Sequence, residues 1–161
     1  MRCLVTFMTV FFLVSVLVPT VSYAEITRLS HEDRENIQNI TDIVEINTVK
    51  RLPKSVVSLC AEKKGRMLDP NEEWGSFDVM MEGSRQTIRL VWAVTGSGYA
   101  VVHYERGGLA RSFHVLVAAI NPENGESSLV WKAIGGKYAN FDEFMLAFNN
   151  NDLDDSPEYT H

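Results

Sequence analysis

Residues 85–106 read RQTIRLVWAVTGSGYAVVHYER. Apolar residues recur at every second position on either side of a small-residue break. That period of two is the mark of paired strands rather than of a helix. Gly96-Ser97 supplies the positive φ angles that a tight two-residue hairpin requires. The same grammar extends in both directions. Five antiparallel strands are expected, over Ser76–Met81, Arg85–Thr95, Tyr99–Arg106, Ala110–Ile120 and Ser127–Ile134. The turns fall at Gly83-Ser84, Gly96-Ser97, Gly107-Gly108 and the longer stretch 121–126.

Upstream, the period lengthens to that of helices. Ser30 caps a helix from about His31 to Glu45, with acidic residues in its first turn and Ile37, Ile40, Ile43 and Val44 at helical spacing. Pro53 opens a second helix through about Lys63, with Val56, Leu59 and Cys60 turned inward and Gly65 ending it. Downstream, Asn140 and Glu143 form a capping box for a helix over Phe141 to Asn149. The fold class is therefore α+β: N-terminal helices, a five-stranded antiparallel meander and a short C-terminal helix.

The ends of the chain differ in composition from this middle. Arg2 is the sole charge before Glu25, and it precedes an apolar run closed by Pro19 and Ser22-Tyr23-Ala24. This is the pattern of a secretory signal peptide cleaved after Ala24. A permanent membrane anchor is the competing reading of the same run. Cleavage leaves a single domain over residues 25–149, followed by a polar, acidic tail over 150–161 that is expected to stay disordered. The protein would then be exported, to the periplasm or the extracellular space.

Removal of the first 24 residues from the chain of 161 leaves 137, enough for one core. Arg2 departs with them, so 14 Lys and Arg stand against 21 Asp and Glu, a net charge of −7. Such a balance argues against nucleic acid, whose phosphates need a basic face. Cys3 is lost with the signal and Cys60 remains alone, so the exported chain can close no internal disulfide. The simplest role for Cys60 is as a small buried apolar residue.

With two-residue turns, Asp78, Arg89, Tyr104 and Arg111 fall opposite one another in one row across four strands. Trp92, Val94, Val101, Leu116 and Trp131 collect on the other face, the natural core face. The charged face also carries Val91, Val102, Phe113, Val115, Val117 and Val130. It therefore needs either a covering helix or a partner, such as a second copy forming a homodimer through this apolar face.

The chain carries no nucleophile elbow, no zinc-protease or Cys-x-x-Cys pattern and no phosphate-binding glycine loop. Two groups of residues invite a functional reading. Arg89, Tyr104, Arg106 and Arg111 are of the types that anchor protein interfaces, suited to a carboxylate-bearing partner. His103, Glu105 and His114 would share the core-side face in the two-residue Gly107-Gly108 register, as an alternative polar site able to bind a metal or move protons. A three-residue loop there would send the histidines to opposite faces. Asn39-Ile40-Thr41 is also a glycosylation sequon, meaningful only in a eukaryotic secretory pathway. The reading favoured is an exported protein-binding domain of inhibitor, immunity or accessory-subunit type, without catalytic activity, metal or cofactor. It meets the membrane only through its signal peptide. The alternatives are a small enzyme or metal-binding protein using the His103 group, and a small-ligand carrier with its pocket between sheet and helices.

Overall fold

A computed structural model describes residues 29–61, 66–73, 87–107 and 111–156. The expected signal peptide, the strand over 76–81 with Asp78, the turn at 83–84, Trp74 and the last five residues lie outside these. The described chain is mixed helix and antiparallel sheet, with helices α1 (His31–Gln38), α2 (Lys54–Ala61) and α3 (Phe141–Asn149). The strands are β1 (Val44–Ile46), β2 (Arg66–Leu68), β3 (Thr87–Gly96), β4 (Tyr99–Arg106), β5 (Ser112–Ile120), β6 (Ser127–Gly135) and β7 (Asp154–Asp155). A short 3₁₀ turn covers Val49–Arg51.

Strands β3 to β6 form the expected meander, and three short strands join it. The sheet order is β1-β3-β4-β5-β6-β7, with β2 parallel to the start of β3. The count is thus larger than the five expected. One addition comes from a shortened helix. Ser30 caps α1 as read, its side chain accepting the Asp33 N–H at 3.0 Å. The helix ends at Gln38 rather than Glu45, however, because Asn39 caps it onto the Glu35 carbonyl and Asp42 takes φ 53°. Residues 44–46 then extend along β3. Strand β2 is a second addition, and the tail is the third. Leu153 is fully buried, Asp154-Asp155 pair with Ile134 and Ala133, and Trp131 Nε1 donates to Asp155 Oδ1 at 2.8 Å. Residues 150–156 are therefore docked on the fold, where a disordered segment was expected.

Helix α3 spans the range the sequence implies. Asn140 accepts the Glu143 N–H, and Glu143 accepts the Ala139 N–H. Phe144 and Phe148 are fully buried.

Apolar side chains cover both faces of the sheet. One face packs Leu90, Val102, Tyr104 and Leu116 against Val56 and Cys60 of α2. The other packs Val94, Val101, Val117 and Trp131 against Ile37 of α1 and Phe144 and Phe148 of α3. The apolar residues expected together on the charged face are split between the two sides: Val102 packs on the α2 side, and Val115 and Val117 on the α3 side.

Candidate functional site

The register that places polar side chains is set by one turn, one loop and two bulges. The β3–β4 turn is Ser97-Gly98, both with positive φ (47° and 79°), as a type I′ turn demands. Gly96 is instead the last paired residue, and a side chain there would meet the Thr41 carbonyl oxygen. A bulge between Leu90 and Trp92 then shifts the pairing by one, so Arg89 lies opposite Glu105 and not Tyr104. The β4–β5 connection runs over residues 107–111, five residues where two were expected, so Tyr104 lies opposite His114. A second bulge in β6 skips Val130.

The expected row Asp78-Arg89-Tyr104-Arg111 therefore does not form among the described residues. Tyr104 is buried on the α2 side, its ring stacked on His114 at 5.4 Å between centroids. Arg106 pairs in register with Ile88 and Ser112 and shares the face of Tyr104. Arg89 and Arg111 do come together, around Glu105. The Glu105 side chain is only 3 % exposed. Arg89 donates to Oε2 from Nε and Nη2, at 3.3 and 2.8 Å, and Arg111 donates from Nε to Oε1. Burial pushes the Glu105 carboxyl up, but the hydrogen bonds from Arg111 and Arg89 outweigh it and hold the group below its ordinary range. Arg111 is 56 % exposed, and its guanidinium lies 5.9 Å from the Phe113 ring centre.

The histidine group is split by the same register. His103 and Glu105 lie on the α3 side, and His114 lies on the α2 side, so the sheet separates the two rings. His103 is fully buried, within 6 Å of the ring centres of Trp92, Phe113 and Tyr138. Its Nδ1–H donates to the His114 carbonyl at 3.0 Å, and its Nε2 accepts the Tyr138 N–H at 3.2 Å. Both nitrogens are spent in one neutral tautomer, and burial lowers the pKa to about 4. A ligated metal or a moving proton needs a lone pair that this ring has already used. His114 Nε2 is bonded to Ser112 Oγ at 2.8 Å. Among the described residues no three His, Cys, Asp or Glu side chains group as a metal site.

Cys60 lies in the α2 core, where burial pushes its thiol up to about 12. It is an inert packing residue in this setting.

One cavity sits on the α3 side of the sheet where β1 ends. It encloses about 300 Å³ and is lined by Glu45, Arg51, Trp92 and Phe141 among others. The small-ligand alternative expected a pocket between sheet and helices but named no lining residues, because the walls come from segments separated by nearly a hundred residues. The architecture defines a mixed α+β domain with helices on both faces of one antiparallel sheet. No family model, curated protein or solved structure matches the chain.

Proposed function

We propose that this is an exported, non-catalytic domain that binds another protein, with Arg111 as its principal anchor. The observation that carries this reading is the state of Arg111. The buried Glu105 carboxylate fixes the inner edge of its guanidinium, while more than half of the side chain stays in solvent. Arg is favoured at the energetic centres of interfaces. An Arg already held in position loses less freedom when it meets a partner's carboxylate. The enzyme alternative is weakened by the commitment of both His103 nitrogens within the core.

The test is capture of partners by the tagged protein from its own envelope fraction, alongside Arg111→Ala. The variant should keep the wild-type circular dichroism spectrum and lose most of the captured partner. Equal capture by both proteins would remove Arg111 from the interface. A transition metal that survives dialysis in stoichiometric amount would favour the metal-binding alternative instead.

A further inference from the structure

The cavity beside β1 goes beyond this reading and is separate from the Arg111 surface. It lies beside an incompletely paired sheet edge. Strand β1 pairs only with residues 93–95 of β3, and β2 only with residues 87–89. At Ile46 the chain leaves the sheet through Asn47 and enters the 3₁₀ turn that carries Arg51. Phe141, at the start of α3, also lines the cavity.

The apolar wall is rigid. Trp92 is held by its Nε1–H, which donates to the Tyr138 carbonyl at 2.9 Å, and its ring meets Phe141 edge-on at 6.3 Å between centroids. The polar rim is of another kind. Glu45 and Arg51 carry opposite charges and line the same cavity, yet no ion pair joins them, and neither makes a side-chain hydrogen bond among the described residues. Asn47 lines the same cavity, and its side chain likewise makes no hydrogen bond among the described residues. Two opposite charges that line one aromatic-walled space without pairing fit a ligand that bears both complementary charges and a flat apolar body. A cavity of about 300 Å³ lies at the lower end of the range for small-molecule sites. It therefore limits the occupant to roughly the size of one amino acid.

We infer that this cavity binds a free, zwitterionic amino acid with an aromatic or bulky apolar side chain. Arg51 takes the carboxylate, Glu45 takes the ammonium, and the side chain lies against Trp92 and Phe141. Arg suits the carboxylate because its planar fork can donate two parallel hydrogen bonds.

Calorimetric titration of the purified protein with four probes tests this assignment: L-phenylalanine, N-acetyl-L-phenylalanine, L-phenylalaninamide and L-alanine. L-phenylalanine should bind saturably, one per chain, with a submillimolar Kd. Each other probe lacks the ammonium, the carboxylate or the ring, and should bind at least tenfold more weakly. Both rim residues are exposed, so Arg51→Gln and Glu45→Gln should fold normally. Arg51→Gln should abolish the preference for L-phenylalanine over its amide, and Glu45→Gln the preference over its N-acetyl form. Absence of saturable L-phenylalanine binding at low millimolar concentration would overturn the inference. So would equal affinity for all four probes, or binding indifferent to both substitutions. None of these results bears on Arg111, whose role is read by partner capture.

Discussion

His103 and Tyr138 are joined by a hydrogen bond in which the imidazole Nε2 accepts the backbone N–H at 3.2 Å. The bond ties the middle of β4 to the segment that leads into α3, and it requires a neutral ring. The folded pKa of about 4 lies below the ordinary 6.5. The unfolded chain therefore binds the proton first. This contribution to stability is complete above pH 6.5 and is lost as pH falls toward 4. The loss should reach up to about 3 kcal/mol by pH 4, read as a falling denaturation midpoint. His103→Gln should be less stable at pH 7 and lack most of this slope. An unchanged slope in the variant would place the titration elsewhere.

Glu105 titrates in the opposite sense. Its folded pKa is depressed, so its stabilisation is present above pH 4.5 and disappears as pH falls through the lower folded value. Glu105→Gln removes the charge that Arg89 and Arg111 both grip. Removing one partner of a buried pair costs several kcal/mol, but both arginines here reach solvent, so a loss of about 2 kcal/mol is expected. Arg111→Ala should cost under about 1 kcal/mol, since that side chain is more than half exposed. Urea denaturation at pH 7 compares the two, and equal losses would contradict this division.

The contrast between α3 and the clamp shows what was legible in the sequence. Helix α3 was readable to the residue because its signals are local: Asn140, Glu143 and the Phe144/Phe148 spacing all fall within one short segment. Strands β3 to β6 were readable for the same reason, through alternation, but the turns that set their register were not. Nor was the pairing of Arg89 with Glu105. It depends on a bulge at residue 91, and an extra residue inserted in one strand leaves the apolar pattern almost unchanged when both faces are buried. The five-residue loop before Ser112 misled in the same way, and with it went the shared face for His103 and His114. Strand β7 was hidden by composition. One Leu among acidic residues carries no periodicity, and only the tertiary groove beside β6 makes it a strand.

Gly96 tests the close approach between the α1–β1 connection and the β3–β4 turn. A Cβ at this position would collide with the Thr41 carbonyl oxygen, and a backbone atom cannot swing aside as a side chain can. Gly96→Ala should therefore destabilise by about 1–3 kcal/mol, the range for forced overpacking. Gly125→Ala is a useful comparison. Its site has open space but φ +70°, so its cost should be conformational alone, about 1 kcal/mol. Thermal unfolding of the two variants separates steric from backbone strain. A Gly96 variant no worse than the Gly125 variant would show that the Thr41 loop yields freely.

Leu153 decides whether the acidic end of the chain belongs to the fold. Its side chain is fully buried and packs in the same core as Trp131, Phe144 and Phe148. Around it, the Asp152 N–H donates to the Ala147 carbonyl at 2.9 Å and the Ser156 N–H donates to the Lys132 carbonyl at 3.0 Å. Leu153→Ala should cost about 2–5 kcal/mol, the range for truncating a buried Leu. Ending the chain at Asn150 should cost at least as much, because it removes Leu153 and also strips the Trp131 N–H of its Asp155 acceptor. Asp154→Ala, at an exposed position of the same strand, should change stability by under about 0.5 kcal/mol. Urea denaturation of the three variants, with Phe148→Ala as the reference for a core truncation, gives the answer. A chain ending at Asn150 that unfolds with the wild-type midpoint would detach the tail from the core; a midpoint lowered as far as that of Phe148→Ala would establish β7 as part of it.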